Sequence, residues 1–262
     1  MLNYIVWNAD PVAFSLLGME IRWYGVLYAL TFASGWFILN KMLKREGGNP
    51  ALVDTLLWYV AIAVIIGARL GHCFFYEPAY YLAHPIEILY IRDGGLASHG
   101  AAITILFALW LVARKYKLSY WYLLDRVVIV VALGGLWIRT GNLINSEIYG
   151  TITDYPWGMI FVRNGEILPK HPTQIYEAIS YFILFVCLFT YYWKRRGVVP
   201  PGKIFGWFLV VCFGMRFLIE FVKEVQEPWE LQYMLNMGQI LSIPFVLLGV
   251  GILYLSSKGR LH

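Results

Sequence analysis

Seven apolar stretches of about 20 residues each dominate this chain, and about 20 residues is the length that an α-helix needs to cross the hydrocarbon core of a bilayer. The composition agrees, because 60% of the residues are hydrophobic and 14% are charged, where a soluble domain carries about 25% charged residues. The sequence therefore predicts an all-α fold, a polytopic membrane bundle of about seven helices. The predicted helices are 22–39, 54–76, 96–113, 119–137, 174–193, 204–222 and 238–256.

Basic residues are distributed unevenly between the connections that join these stretches. One set of connections holds 12 Lys and Arg residues, whereas the alternate segments hold seven over much more chain. Because basic residues are enriched on the cytoplasmic side, the N-terminus is predicted to lie outside and the C-terminus in the cytoplasm. The basic connections are 40–53, 114–118, 194–203 and the tail after 256.

The connections on the other side are longer and carry Trp, Tyr, Pro and Gly among acidic residues. We expect them, at about 77–95, 138–173 and 223–237, to form a small extracytoplasmic head. No internal repeat and no domain linker divides the sequence. A single integral-membrane domain over residues 1–262 is the expected organisation.

Polar and ionisable residues recur at the predicted outer ends of the helices. Each ionisable group at membrane depth costs about 2.5–3.5 kcal/mol on insertion scales, so such groups normally face the interior of a bundle. Many of them at one depth indicate one shared cavity. The residues are Tyr24, Arg69, His72, His99, Arg139, Asn142, His171, Gln174, Glu177, Arg216, Glu220 and Gln239. Within this set, His171, Gln174 and Glu177 share one face of a helix, and Arg139 and Asn142 are one turn apart if the helix reaches them.

The chemistry of these side chains suits a phosphate group. A guanidinium binds phosphate oxygens with two parallel hydrogen bonds, and Arg139 and Arg216 are both predicted at the cavity. Glu220, four residues after Arg216, is placed to orient that guanidinium. His99 is a candidate general base. At this depth the most abundant phosphate belongs to a lipid, so the pattern favours phospholipid chemistry.

Simpler interpretations stand beside these. Arg69 is equally well explained as an interfacial anchor, and a His beside glycines is more often a structural group than a functional one. Arg126 beside Asp125 is interpreted as a structural ion pair. The three cysteines, Cys73, Cys187 and Cys212, lie inside apolar runs and indicate neither a disulfide framework nor a metal site. Cys187 and Cys212 are predicted in the cytoplasmic halves of their spans, well away from the polar cavity.

No motif indicates a bound cofactor, a nucleotide or a hydrolase nucleophile, so no cofactor and no metal are expected. The basic pI of about 9.0 is explained by the cytoplasmic connections, and no nucleic-acid partner is expected.

One motif is specific. The sequence IRTGNLINSEIYG at 138–150 resembles the signature of bacterial prolipoprotein diacylglyceryl transferases, G-R-x-[GA]-N-F-[LIVMF]-N-x-E-x-x-G, at eleven of its thirteen positions. Ile138 stands where the signature has its first Gly, and Leu143 where it has Phe. Further segments occur in matching order: RWYG at 22–25, GARLG at 67–71, GGLASHG at 94–100, HPTQIYE at 171–177 and RFLIEF at 216–221.

The resemblance implies an activity and its partners. Members transfer the diacylglyceryl group of phosphatidylglycerol to the thiol of the lipobox cysteine in a preprolipoprotein, which yields a thioether and glycerol 1-phosphate. This is the first step of bacterial lipoprotein maturation. Phosphatidylglycerol, membrane lipids and the signal peptide with its lipobox are thus the expected partners. The expected location is the bacterial inner membrane, with the active site toward the extracytoplasmic side.

The resemblance and the cavity together predict the site. The expected catalytic residues are His99, Arg139, Arg216 and Tyr24. The expected substrate-binding residues are Arg139, Asn142, Asn145, Glu147, Gly150, His171, Gln174, Glu220 and Arg69.

Two other function classes remain open on the residues alone. A transporter or flippase with an anionic lipid site is disfavoured by the lack of an internal repeat. A non-catalytic membrane scaffold predicts that changes to the cavity arginines have little effect.

Overall fold

The computed structural model describes residues 4–90, 95, 97–224 and 234–261. It divides into two compact units, residues 1–46 with 125–262 and residues 47–124. The described residues contain eight α-helices and four short strands: β1 (Ile5–Trp7), β2 (Val12–Leu16), β3 (Met19–Arg22), α1 (Trp23–Glu46), α2 (Ala51–Phe75), α3 (Pro78–Ala83), α4 (Ser98–Tyr116), α5 (Tyr120–Ile144), β4 (Met159–Phe161), α6 (Thr173–Lys194), α7 (Lys203–Ile219) and α8 (Met237–Ser257).

Six of these helices, α1, α2, α5, α6, α7 and α8, are long and apolar enough to cross a membrane. The predicted stretch 96–113 also forms a helix, α4, but this helix is not among the six. Its first turn contains Ser98 and His99 and its last turn contains Arg114 and Lys115, and these polar ends lower its mean hydropathy. A multi-pass helical membrane protein is therefore confirmed.

Several helices continue past the predicted apolar stretches. α1 ends at Glu46, because strong helix formers such as Lys41, Met42 and Leu43 follow the apolar run. α5 ends at Ile144, so the first half of the polar motif at 138–150 is the last part of a helix. Of the predicted outer segment 223–237, residues 225–233 lie outside the described residues, and so do residues 91–94 of the segment 77–95.

In the first unit, small residues let helices approach closely. A Cβ on Gly134 of α5 would lie 2.7 Å from a methyl group of Thr31 in α1, and a Cβ on Gly249 of α8 would lie 2.9 Å from Leu209 Cβ in α7. Such contacts are typical of helix packing in membranes.

Buried charged residues join the start of α5 to the start of α7 and to the end of α1. Asp125 accepts hydrogen bonds from the backbone N–H groups of Gly202 and Phe205, both at 2.8 Å, and so caps the start of α7. Arg126 forms an ion pair with Glu46 at 2.8 Å. Arg126, interpreted from the sequence as half of a structural ion pair with Asp125, thus also has a carboxylate partner at the end of α1.

The head of the first unit contains short backbone pairings. β1 runs parallel to β4, while β2 and β3 form an antiparallel hairpin that leads directly into α1. Single bridges join Gly150 to Lys223 and Lys170 to both Ile152 and Met159. These pairings connect the segment after α5 with the segments before α6 and after α7.

In the second unit, α4 packs tightly against α2. A Cβ on Gly100 would lie 2.7 Å from Gly71 Cα, so neither glycine has room for a side chain. The hydroxyl of Thr104 donates to the carbonyl of Ala63 at 2.7 Å, and the N–H of Ala97 donates to the carbonyl of Ala68 at 2.8 Å. These contacts fix the start of α4, where His99 lies, against the second half of α2.

Candidate active site

The polar end of α5 is organised around Arg139. Its guanidinium forms an ion pair with Glu177 of α6, the Nε facing Oε2, and donates from Nη1 to Asn142 Oδ1 at 3.0 Å. Asn142 in turn donates from Nδ2 to Glu147 Oε1 at 2.7 Å, and Asn145 lies 3.4 Å from the same oxygen. The predicted spacing of Arg139 and Asn142 by one helical turn is confirmed, because α5 extends over both.

The loop that follows α5 is held in a costly conformation. Ser146 and Ile148 have positive φ angles of 58° and 62°, which is rare for any residue with a side chain and most costly for a β-branched one. The beginning of α6 holds this loop: Gln174 Nε2 donates to the carbonyl of Glu147 at 2.7 Å, and Thr173 Oγ1 donates to the carbonyl of Ile148 at 2.9 Å. This explains why two buried polar residues stand in the first turn of α6.

A third segment reaches the same place after α7. Lys223 donates to Glu177 Oε1 at 3.2 Å and lies 3.3 Å from Glu220 Oε1. Glu220 Oε1 is also 3.7 Å from Arg216 Nε. The predicted contact of Arg216 with Glu220 is therefore confirmed. The charged side chains alternate in sign along one chain of contacts: Arg139, Glu177, Lys223, Glu220 and Arg216.

This chain of five charges is mostly buried. The side chains of Lys223, Glu177 and Glu220 are 4%, 6% and 8% exposed, whereas that of Arg216 is 34% exposed. Buried carboxylates need compensation, and each one here has two cationic neighbours. Arg216 is the member of the chain that a ligand reaches most readily.

Two glycines permit these close approaches. A Cβ on Gly141 would lie 2.8 Å from the ring of Tyr24, and a Cβ on Gly150 would lie 2.7 Å from His171 Cβ and 2.8 Å from Thr173 Cγ2. The structure thus places Tyr24 against the turn of α5 between Arg139 and Asn142. It also places the last glycine of the motif against the segment that precedes α6.

His171 borders the site from the head. Its Nδ1 lies 3.0 Å from the hydroxyl of Tyr176, which also accepts a hydrogen bond from Trp157 Nε1 at 2.7 Å. Desolvation by the surrounding groups lowers the pKa of His171 below its usual value. The imidazole is thus favoured in its neutral form at neutral pH.

The remaining predicted residues belong to the second unit. Arg69 is 4% exposed and donates to the carbonyls of Ile88, at 2.9 Å, and Glu87, at 2.6 Å, while its guanidinium lies 5.1 Å from the ring centroid of Tyr81. These contacts hold the short 3-10 turn at Pro85–Leu89. His99 lies in the first turn of α4 and is exposed.

Several buried polar atoms at this site have no hydrogen-bond partner among the described residues. They are Asn145 Oδ1, Ser146 Oγ, Gln174 Oε1, Arg216 Nε and Gln239 Nε2, together with Glu177 Oε2, which has its ion pair with Arg139. A buried polar atom without a partner costs about 1–3 kcal/mol. Such atoms are typical of a site that binds a polar ligand.

Comparison with known proteins matches this sequence over almost its whole length. The family model of prolipoprotein diacylglyceryl transferase matches residues 11–255. The chain belongs to the prolipoprotein diacylglyceryl transferase family. A phosphatidylglycerol–prolipoprotein diacylglyceryl transferase of Tolumonas auensis is 44% identical over 257 residues, which cover 98% of this chain and 99% of the relative. The proteins of the same name from Porphyromonas gingivalis and Chloroherpeton thalassium are 45% and 44% identical, and each alignment covers at least 95% of both chains.

For this member of the family, the motif at 138–150 thus forms a helix end followed by a strained loop. Ile138 and Leu143, the two departures from the signature, leave the contacts of Arg139, Asn142 and Glu147 in place. Leu143 also accepts a hydrogen bond on its carbonyl from Trp7 Nε1 at 2.8 Å, which ties β1 to the end of α5.

Two residues of the site were not predicted from the sequence. Lys223 counted only as a basic residue of an outer segment, although its position three residues after Glu220 is the signal that could have found it. Asn236 caps α8 in a reciprocal capping box with Gln239 and also donates to Glu220 Oε2 at 3.3 Å. The sequence Asn-x-x-Gln before an apolar run is the matching signal.

The placement of Cys212 differs from expectation. A small cleft between α6 and α7 is lined by Cys212 together with Glu177, Tyr181 and Arg216. The thiol lies 3.8 Å from the hydroxyl of Tyr181. Cys212 was expected far from the polar cavity, and this is wrong, because one helical turn separates it from Arg216 on the same face of α7.

Proposed function

We propose that this protein transfers the diacylglyceryl group of phosphatidylglycerol to the thiol of the lipobox cysteine of preprolipoproteins, the first step of lipoprotein maturation. The observation that carries the proposal is the chain of alternating charges that links Arg139 to Arg216 through two buried carboxylates. Two guanidiniums held in this way suit a phosphate. The relatives that match almost the full length of the chain carry this activity in their names.

The chemistry needed is a displacement at a saturated carbon. The sulfur of the incoming thiolate forms a bond to the terminal glyceryl carbon that carries the phosphate. The bond between that carbon and the phosphate oxygen breaks, and glycerol 1-phosphate leaves with the electron pair. Negative charge therefore grows on the departing phosphate, where Arg139 and Arg216 stabilise it.

The remaining residues prepare the substrates. Asn142, Asn145 and Glu147 present polar groups beside Arg139, and Tyr24, packed against Gly141, closes this side of the site. Gln174, His171 and Gly150 hold the loop and its neighbours in place. A thiol of pKa about 8.5 needs only modest help to ionise, and we assign the acceptance of its proton to His99. Arg69 holds the 3-10 turn at Pro85–Leu89 in the second unit.

The membrane arrangement is part of the proposal. α4, with its 19 residues, is about 29 Å long, close to the roughly 30 Å of the hydrocarbon core. We count it as a seventh span in a single integral-membrane domain. The N-terminus then lies outside and the C-terminus in the cytoplasm of the bacterial inner membrane, with the site toward the extracytoplasmic side. A reporter fused after His262 is expected to be cytoplasmic and one inserted at 151–165 extracytoplasmic; the opposite pattern would overturn this placement.

The direct test uses the purified protein in detergent with phosphatidylglycerol and a synthetic lipobox peptide. Mass spectrometry is expected to find the peptide enlarged by a diacylglyceryl group, with glycerol 1-phosphate released in equal amount. Replacing the peptide cysteine by serine is the matched control and should give no product. Movement of lipid across a vesicle bilayer without any thioether product would favour a transporter instead.

A further inference from the structure

Lys223 is a buried ammonium placed between carboxylates of two different segments. Its side chain is 4% exposed, and its Nζ lies 3.2 Å from Glu177 Oε1 and 3.3 Å from Glu220 Oε1. Burying a lysine in this way is costly unless its partners are fixed. A lysine that only served solubility would extend into solvent, so the burial of Lys223 needs an explanation.

The backbone at Lys223 is anchored to the motif. Gly150 and Lys223 form a β-bridge, and the N–H of Thr151 donates to the carbonyl of Val222 at 2.9 Å. The carbonyl of Val222 lies so close to Gly150 that a side chain at Gly150 would displace it. The absence of a Cβ at Gly150 therefore lets the segment carrying Lys223 approach the site.

The contacts of Lys223 determine how much positive charge the arginines retain. Glu177 faces Arg139 with Oε2 and Lys223 with Oε1, so one carboxylate is shared by two cations. Glu220 Oε1 is likewise shared by Lys223 and Arg216, while its Oε2 accepts from Asn236. Without Lys223, each carboxylate would neutralise its own arginine more completely and would be free to reorient. Glu147, another carboxylate of the site, is engaged with Asn142.

We infer that Lys223 is a positioning residue that holds Glu177 and Glu220 so that Arg139 and Arg216 present their charge to a phosphate group. The inference rests on the proposed function, because that function identifies the ligand as a phosphate group. Two forms of phosphate fit this chemistry, the phosphodiester of the lipid substrate and the phosphomonoester of the released glycerol 1-phosphate. Lys223 acts on either form through the arginines, without touching it.

The same head offers a matched control. Lys170 is also buried, lies in a β-bridged segment, and contacts two carboxylates, Glu166 at 3.0 Å and Glu224 at 2.8 Å. Neither carboxylate contacts Arg139 or Arg216 among the described ion pairs. Replacing either lysine by Met removes a buried ammonium from between two carboxylates, but only Lys223→Met changes the arginine chain.

The experiment measures binding of phosphatidylglycerol to the purified full-length protein in zwitterionic micelles, and separately its displacement by glycerol 1-phosphate. Lys223→Met is expected to weaken binding at least about tenfold, because Glu177 and Glu220 would then neutralise Arg139 and Arg216 more completely, whereas Lys170→Met should change it less than about twofold. Lys223→Arg retains the charge and should stay within about threefold of the wild type. If Lys223→Met weakens the binding of glycerol 1-phosphate as much as that of the lipid, Lys223 acts on the phosphate group in both forms. If only lipid binding weakens, Lys223 acts on the lipid phosphodiester.

Melting temperatures identify folded variants. Both Met variants are expected to melt lower than the wild type by similar amounts. Wild-type affinity in folded Lys223→Met, equal losses in Lys170→Met, or loss in Lys223→Arg as large as in Lys223→Met would each overturn the inference. The inference would also be overturned if Lys223→Met and Lys223→Gln both failed to fold while Lys170→Met folded. Lys223 would then have a structural role. A wild-type protein that binds the lipid but forms no thioether would contradict the proposed function alone.

Discussion

The guanidinium of Arg139 at the end of α5 lies in an ion pair with the carboxylate of Glu177 in the second turn of α6. The contact joins two segments of the sequence that each carry a recognisable pattern, the motif at 138–150 and the His171, Gln174, Glu177 spacing. It also fixes the direction of an arginine that is only 15% exposed. The phosphate site proposed here depends on that fixed direction.

Arg216 and Glu220 are expected to act as a pair. Each single change to Ala should lower kcat/KM at least about tenfold, and the double change should cost less than the product of the two effects, because residues in contact couple by about 0.5–3 kcal/mol. Steady-state kinetics with phosphatidylglycerol as the varied substrate measure this. Arg163→Ala, at an exposed residue of the head, serves as the control. Strictly multiplicative losses would show that Glu220 does not orient Arg216.

His99→Asn retains a hydrogen-bonding side chain but cannot titrate. If His99 accepts the thiol proton, the rate at neutral pH should fall by about 10²–10⁴ and recover as the pH is raised toward the thiol pKa. His84→Asn, at another exposed histidine of the same unit, should behave as the wild type. A near-normal rate at neutral pH would make His99 structural.

None of the protein's own cysteines is expected to take part, since the nucleophilic thiol belongs to the incoming peptide. Cys212 makes this a sharper test than the sequence suggested, because it shares the cleft of Arg216. The triple change of Cys73, Cys187 and Cys212 to Ala should retain most of the transferase activity and resist alkylating reagents. Lost turnover in a folded triple variant, restored by returning Cys212 or Cys73 alone, would indicate a covalent enzyme intermediate.

The helices and the polar cluster could be predicted from the sequence because both follow from local patterns. The length of each apolar run predicted seven helices, and all seven runs do form helices. The common depth of the ionisable residues predicted one site. Within the first unit, Arg139, Asn142, Gln174 and Glu177 do meet, and Arg216 meets Glu220. Whether His99 and Arg69 join them stays a prediction.

What could not be predicted depends on contacts between distant segments. Lys223 becomes a partner of Glu177 only because the segment after α7 pairs with Gly150, 73 positions earlier in the chain. The pairing of Arg126 with Glu46 likewise needs the end of α1 beside α5. The face of Cys212, by contrast, could have been predicted, because Cys212 stands four residues before Arg216 in the sequence and residues at that spacing share one face of a helix.

Stability should depend on pH through His171. Desolvation lowers its folded-state pKa below the usual 6.5, so above about pH 6.5 both the folded and unfolded states are neutral there and His171 contributes no pH dependence. As the pH falls through about 6.5 the unfolded state binds the proton first, and the folded state loses stability. His171→Gln should therefore show a smaller fall in melting temperature between about pH 7.5 and about pH 5.5 than the wild type. His84→Gln should show the full fall, and an unchanged fall in His171→Gln would contradict the assignment.

The central claim is that Arg139 binds the lipid phosphate with the directed geometry of a guanidinium, and Arg139→Lys tests it most directly. Lysine retains the charge but cannot contact Glu177, Asn142 and a phosphate with a planar array of donors. The assay compares thioether formation by purified wild type, Arg139→Lys and the control Arg163→Lys at equal amounts of folded, membrane-inserted protein. The account predicts that Arg139→Lys loses at least about a hundredfold in kcat/KM, consistent with removal of one directed donor to a developing oxyanion, while Arg163→Lys remains active. Turnover by Arg139→Lys within a few fold of the wild type would contradict it.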